Sequence, residues 1–354
     1  MDGGDRILVL GGYGVVGRRL VRSLCVRHPG RIVIAGRRLE VGLALAHELG
    51  HGVTALRVDV EDEKSVSDAL KDTAVVVSCV EQRADIALKA ALRRGLRYGD
   101  LAPKLALRGD PLELDAAAKR TGARLVMGIG ISPGLSSVMA RALCDRLGGP
   151  PDRIETSLLY GMGDEFGGDS MGFILRSATR PFDVVVDGIR QSMLPFSHAE
   201  DVEFPAPFGR RTAYAYPFSD AVTFPRTLGA RTAIARLSID PGWLGRLASA
   251  AARLRLLAAL APRVRGSRRV RALLAAHDGY ALVVMAQRGG ARSRMILHGR
   301  RQAEATALVT TELVDRLVRG EPGEPGLWMP EQYVEPIEFF AQLRSVGLSV
   351  ADEH

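Results

Sequence analysis

Gly12, Gly14 and Gly17 form a G-x-G-x-x-G pattern inside ILVLGGYGVVGRRL, between an apolar run and a basic helical pattern. The chemistry of this spacing is anion binding by main chain. The first glycine permits a tight turn, the second lets backbone N–H groups approach a diphosphate, and the third lets the helix close on the strand. The helix start adds partial positive charge. Gly11, Tyr13, Val15 and Val16 complete the loop. Sites built for NAD place an acidic residue about 20 residues further on, to accept the ribose 2′-hydroxyl. Here the run IVIA leads into Gly36-Arg37-Arg38, with no carboxylate at the tip. Two guanidinium groups form charge-assisted bonds to a 2′-phosphate or stack on adenine. The expected cofactor is therefore NADP(H).

Other candidates fall at the ends of later apolar runs. Asp59, in VDVED, either hydrogen-bonds the adenine amino group or caps the helix starting near Asp62. Ser78, Cys79 and Val80 end AVVVSCV and belong over the cofactor at the carboxyl edge of the sheet. Tyr98 and Asp100 are two apart, so on a strand they share a face. They are the candidate proton shuttle, with Cys79 a weaker third. The plainer alternative has Tyr98 in the core, Asp100 capping a turn and Cys79 as a packing residue.

Ser132, Pro133, Gly134 and Ser136 lie between a strand and a helix, where main-chain N–H groups and hydroxyls can meet a substrate carboxylate or the nicotinamide amide. The alternative is a crossing turn with Ser136 as N-cap. Arg226, in FPRTLG, suits a bidentate grip on a carboxylate. Tyr160, Tyr214 and Tyr216 read as core residues, and His198, His277 and His298 as surface or packing residues. No metal-ligand spacing occurs. No tyrosine is followed by lysine four residues later (Tyr98 has Ala102 there), so the tyrosinate relay of short-chain dehydrogenases is not supported.

The elements needed to position these groups are legible. In the first third, ILVL, RIVIA, ALRVDV, AVVVSCV and RLVMGI alternate with helical patterns such as EVGLALAHELG and ADIALKAALRRG. This predicts an α/β Rossmann domain, a doubly wound parallel sheet with helices on both faces. Gly50 and Gly95 sit where helices should stop. A helix is expected from about Ser136 to Leu147. Beyond it, IETSLLYG, RTAIARLSI, YALVVMAQ and RSRMILHG predict an inserted α+β domain on a mostly antiparallel sheet, with Arg288-Gly289-Gly290-Ala291 as a hairpin turn. The expected boundaries are 1–132 for the cofactor domain and 133–300 for a substrate and oligomerisation domain. Residues 301–354 are expected as C-terminal helices returning to the first.

Composition narrows the function. The 354-residue chain carries a formal charge of +8, mostly from arginine spread along its length. No basic tail, zinc spacing or aromatic-interleaved signature accompanies it, so nucleic acid is not an expected partner. Cys25, Cys79 and Cys144 are too few and scattered for a disulfide framework, which fits a reducing cytoplasm. MDGGDRILVL lacks the pattern of a signal peptide. The basic stretch from Trp243 to His277 reads as helices packed on the second domain or at a homodimer interface, in preference to contact with an acidic membrane surface.

Several segments, in order, resemble the saccharopine dehydrogenase-like (saccharopine reductase-like) family. They are GGYGVVGRRL, VIAGRR, VVVSCV, the Tyr98–Leu101 stretch, GISPGLSSVMA, FPAPFGRRTAYAYPFSDAVTFPRTLG and PGLWMPEQYVEPIEFFAQL. The resemblance implies a Rossmann domain with an inserted domain, and nicotinamide-dependent redox chemistry at a carbon–nitrogen bond of an amino-acid-like substrate. No saccharopine-binding set of arginines can be matched residue by residue. Hydride transfer to an iminium needs little acid–base help, whereas imine formation or hydrolysis needs a proton shuttle. Two other readings stay open. One is a carbonyl or enoyl reductase for a carrier-linked or lipid-like substrate, and the other a non-catalytic NADPH-sensing regulator.

Overall fold

A computed structural model describes residues 4–101, 110–164, 177–178, 180–253, 278–321 and 323–353. The chain divides into two compact units. Unit 1 comprises Met1–Leu135 and Ala303–Glu335, and unit 2 comprises Ser136–Gln302 and Pro336–His354.

Unit 1 is built on seven parallel strands in the order β15-β6-β5-β4-β1-β2-β3. They are β1 (Arg6–Leu10), β2 (Ile32–Gly36), β3 (Thr54–Arg57), β4 (Thr73–Ser78), β5 (Arg97–Asp100), β6 (Arg124–Met127) and β15 (Gly326–Trp328). Ile7, Val9, Ile34, Val75 and Val77 are almost wholly excluded from water. A parallel strand covered on both faces tolerates little else, hence the continuous apolar runs. The crossovers are helices α1 (Gly17–Arg27), α2 (Leu39–Leu49), α3 (Glu63–Ala69), α4 (Ile86–Arg93) and α5 (Pro111–Thr121).

Local signals set the helix bounds. Asp62 caps α3 by accepting from Lys64 and Ser65 N–H, and Asp110 caps α5 by accepting from Leu112 N–H, with Pro111 in the first turn. Gly50 ends α2 at φ +65°. The sheet order reverses direction between β1 and β4, so the loops that leave these strands flank the crevice where nucleotides bind in such sheets.

Unit 2 holds a second sheet, β10-β11-β12-β7-β13-β14-β16, with β8 and β9 attached at β12. Its strands are β7 (Arg153–Gly161), β8 (Phe182–Val186), β9 (Ile189–Met193), β10 (Ser197–Phe204), β11 (Gly209–Ala215), β12 (Thr232–Asp240), β13 (Tyr280–Arg288), β14 (Ala291–Gly299) and β16 (Ala351–Glu353). The sheet is mostly antiparallel, as the pattern predicts, but its central pair β7 and β12 runs parallel along nine residues. The hairpin turn at Gly289-Gly290 is present, with Arg288 opposite Ala291.

Helix α6 (Leu135–Arg146) starts one residue before the expected point. Helices α7 (Asp220–Thr227) and α8 (Gly242–Arg253) belong to unit 2. The rest of the basic stretch, 254–277, lies outside the described residues. The C-terminal segment is shared. Helices α9 (Gln302–Val318) and α10 (Pro330–Tyr333) lie chiefly in unit 1, while α11 (Pro336–Ser345) lies in unit 2, where β16 pairs with β14. Within unit 1, α9 is anchored to α1. Arg27 Nη1 donates to Glu312 Oε2 at 3.1 Å and its Nη2 donates to Glu312 Oε1, while His28 Nε2 lies 2.8 Å from Asp315. No helix among the described residues is long and apolar enough to cross a membrane.

Candidate active site

The loop from Gly11 to Gly17 follows β1 at the switch point. Gly11 has φ +76°, and a Cβ on it would lie 2.3 Å from Val80 Cγ1. The loop is tied down by main-chain bonds, Gly11 N–H to Ala35 O at 2.7 Å and Gly14 N–H to Gly11 O at 2.8 Å. A Cβ on Gly17 would sit 2.2 Å from Gly11 O and 2.9 Å from Gly12 Cα. The start of α1 is therefore pressed against the loop at a distance only glycine allows. Among the described residues, the N–H groups of Tyr13, Val15, Val16 and Gly17 donate to no protein acceptor. They are a set of main-chain donors at a helix start, the arrangement that binds phosphate. This cradle fits a dinucleotide diphosphate.

Arg37 and Arg38, at the end of β2, are exposed, and among the described residues neither is paired with a carboxylate. The Arg38 main-chain N–H donates to Tyr13 Oη at 3.0 Å, and its guanidinium carbon lies 5.3 Å from the centre of the Tyr13 ring. Arg57 is a third basic residue that the sequence reading missed. It ends β3 with its Cα in register with Gly36, so the two share a face of the sheet. Its pairing could not be read before the register was known.

Asp59 corrects one expectation. The cap of α3 is Asp62, and Asp59 instead accepts from Glu61 N–H at 3.1 Å in a local turn while its own N–H donates to Ser65 Oγ. It is exposed.

At the carboxyl ends of β4 and β5 the structure joins several predicted residues in one buried network. Tyr98 Oη donates to Asp100 Oδ2 at 2.7 Å, and both residues are wholly buried. Gln82 Nε2 donates to Tyr98 Oη at 2.9 Å and to Ser78 Oγ at 3.2 Å. The Gln82 carbonyl takes the N–H of Ala87 at 2.9 Å, which fixes the amide's orientation. Ser78 Oγ donates to Val80 O. Gln82 went unnoticed because nothing in its local pattern marks it; its partner Tyr98 is 16 residues away. Tyr98 and Asp100 thus share a face, as their spacing requires, and Tyr98 is at once a core residue and the partner of the carboxylate. Asp100 caps through its main chain: its carbonyl accepts from Gly128 and Ile129 N–H. Burial pushes the Cys79 thiol up, and the Asp100 carboxylate pushes it further, so Cys79 stays a neutral thiol. It suits packing better than proton shuttling.

The GISPG segment is a compact knot. Gly134 has φ +133°, and a Cβ there would lie 1.9 Å from Gly130 O. Gly130 N–H donates to Pro133 O and Leu135 N–H to Gly130 O. Ser132 is half-buried, while Pro133, Gly134 and Ser136 are buried. Ser136 sits in the first turn of α6, and its hydroxyl has no hydrogen-bond partner among the described residues. That disagrees with a plain N-cap role, which requires the hydroxyl to accept a main-chain N–H.

Arg226, in the last turn of α7, is exposed and without an acidic partner among the described residues. Tyr214 and Tyr216 are buried in a ring cluster with Phe196 and Phe218. Tyr160 is only half-buried at its surface, and desolvation and Asp164 both raise its phenol. No group of three or more His, Cys, Asp or Glu among the described residues is placed to hold a metal ion.

A similar fold occurs in a solved structure, apo saccharopine dehydrogenase (L-Glu forming) from Saccharomyces cerevisiae. The match has a TM-score of 0.67 and covers 99% of this chain and 100% of that one, at 17% identity. The chain has the saccharopine dehydrogenase fold. At that identity the likeness concerns backbone architecture. An engineered D-amino acid dehydrogenase also aligns along 96% of this chain, but at a TM-score of 0.45 and 15% identity it adds no weight. No family model matches the chain, and no curated protein matches its sequence.

Proposed function

We propose that this protein is an NADP(H)-dependent oxidoreductase acting on a carbon–nitrogen bond of an amino-acid-like substrate, by imine reduction or secondary-amine oxidation. The observation that carries the reading is the loop at the switch point, where Gly11 and Gly17 leave no room for a side chain. Along this loop and the start of α1, four N–H groups have no acceptor among the described residues, and exposed arginines stand at the neighbouring strand end where NAD sites carry an acid. The saccharopine dehydrogenase fold supports chemistry at C–N within that class.

In this reading Gly11–Gly17 hold the diphosphate by main chain, and Arg37 and Arg38 meet the 2′-phosphate with Arg57 beside them. When bound, the nicotinamide supplies or accepts a hydride. The chain's own task is then to orient the partners and move a proton. Asp100, fixed by Tyr98 and indirectly by Gln82, is the group to hold a proton for the substrate nitrogen or for water. The start of α6, at Leu135 and Ser136, is proposed to meet the substrate carboxylate. A homodimer in the cytoplasm is the proposed working form.

Calorimetric titration with NADPH and NADH is the first test. The wild type should prefer NADPH. Replacing Arg37 and Arg38 by alanine should cost NADPH about 2 kcal/mol per lost charge-assisted contact, roughly 30-fold each, and leave NADH nearly unchanged. Equal losses for both cofactors would refute the 2′-phosphate assignment. Cofactor turnover with panels of amine plus aldehyde or keto acid then tests the reaction. NADPH binding with no turnover on any such panel would refute the C–N assignment.

A further inference from the structure

We infer that Tyr13 sets the cofactor preference by holding Arg38 ready for a 2′-phosphate. The inference rests on the NADP(H) reading above and adds to it a positioning residue that no loop pattern designates. Tyr13 occupies a position that the glycine pattern leaves unspecified, yet its side chain is committed to the end of β2. Its hydroxyl accepts the Arg38 main-chain N–H at 3.0 Å, and its ring carries the Arg38 guanidinium 5.3 Å from its centre.

One bare position makes room for the ring, and a second glycine lies in contact with it. A Cβ on Gly36 would lie 2.5 Å from Tyr13 Cε1 and Oη, and a Cβ on Gly42, in α2, would face Tyr13 Cδ1 at 3.9 Å. Gly36 is also the last residue of β2, where an NAD-type carboxylate would stand. Tyr13 therefore bars an acid from that position by volume while it supports a cation two residues on.

The physical gain is pre-organisation. An exposed arginine has rotamer freedom to lose when it grips a phosphate. Stacking on the ring removes part of that freedom before the ligand arrives. Since Tyr13 Oη accepts from Arg38, its own proton is available to a phosphate oxygen, and among the described residues it donates to none. NADH has no 2′-phosphate, so neither effect reaches it.

The experiment measures dissociation constants for NADPH and NADH on the wild type, Arg38→Ala, Tyr13→Phe, Tyr13→Leu and Tyr13→Leu/Arg38→Ala. Leucine keeps apolar bulk over Gly36 without ring or hydroxyl, and phenylalanine keeps the ring alone. Tyr13→Leu should lower the NADPH-over-NADH preference about 5- to 30-fold, mostly through NADPH, with Tyr13→Phe between it and the wild type. The double variant should be little worse than Arg38→Ala, because the tyrosine acts through the arginine. The inference falls if Tyr13→Leu keeps the wild-type ratio, if it weakens both cofactors equally, or if the two losses add fully. A wild type without NADPH preference overturns the cofactor reading and this inference together. A wild-type preference that Arg38→Ala abolishes and Tyr13→Leu spares overturns the inference alone.

Discussion

Two glycines of the loop should fail in different ways when a methyl group is added. In Gly17→Ala the new Cβ would lie 2.2 Å from Gly11 O. Relief requires α1 to move outward by about 1 Å, since a carbon–oxygen contact settles near 3.2 Å or beyond. Such overpacking costs about 1–3 kcal/mol. In a domain of this size that lowers the melting temperature by roughly 2–12 °C. The same outward shift spoils the aim of the N–H groups at Val15, Val16 and Gly17, so NADPH affinity falls as well.

Gly14→Ala is the contrasting case. Its Cβ meets only Gly11 O, at 3.1 Å, and the position is exposed. Stability should stay within about 1 kcal/mol of the wild type. Binding should nevertheless suffer, because the methyl projects where the diphosphate must approach the backbone; loss of one or two charge-assisted bonds predicts roughly 10- to 100-fold. Differential scanning fluorimetry gives the first quantity and titration of NADPH the second. A Gly14→Ala protein that binds NADPH as the wild type does would refute the placement of the diphosphate. A Gly17→Ala protein of unchanged melting temperature would refute the packing argument.

Other outcomes follow from the same geometry. Asp100→Asn should slow turnover by at least about tenfold with cofactor affinity intact, and unchanged turnover would remove Asp100 from the chemistry. Tyr98→Phe deprives buried Asp100 and Gln82 of a shared partner and should cost about 1–3 kcal/mol of stability, measured by urea unfolding. Burial raises Cys144 to about 12 and raises Cys79 further, so neither thiol should react with iodoacetamide at pH 8 until the protein is unfolded; rapid labelling of either in the native protein would contradict this.

Asp115 supplies the pH-dependent case. Its burial alone would raise its pKa. The Lys119 hydrogen bond, the Leu327 N–H and the Lys119 charge together outweigh burial and lower it. A depressed carboxylate contributes stability above its unfolded value and loses it as pH falls through the folded one. Asp115→Asn should thus cost about 1 kcal/mol at pH 7, with the gap to wild type closing only as pH falls below the ordinary aspartate value of about 4 in acid titrations of stability.

Much of this molecule could be read without coordinates because parallel strands buried on both faces are written as continuous runs. Val75, Val76 and Val77 announce β4, and the glycine stops at Gly50 and Gly95 bound the helices. The loop that follows β1 was legible from the spacing of Gly12, Gly14 and Gly17, and at Gly17 that glycine is a steric necessity. Long-range pairing was not legible. The parallel contact of β7 with β12 joins segments about 80 residues apart, and nothing in either says which way it runs. Asp187-Gly188, between β8 and β9, is a two-residue hairpin signal that was present and unread; both residues have positive φ. Arg57 and Gln82 gained their places through register and through contact, which composition does not encode. Asp59 and Asp62 both sit at a plausible cap, and only the hydrogen bonds separate them.

Strand β15 has a bearing on how the molecule is made. It pairs in parallel with β6, although some 200 residues separate them and most of unit 2 lies in that interval. At a synthesis rate of about 5–20 residues per second, the ribosome needs roughly 10–40 s to travel from residue 135 to residue 328. For that time the nascent nucleotide domain carries an open flank at β6, the kind of edge that recruits strands from other chains. Segments from either side of unit 2 must therefore meet before the first domain is closed, and a nonsense codon ahead of Gly326 should release a sticky, chaperone-bound fragment in place of a small, independent domain.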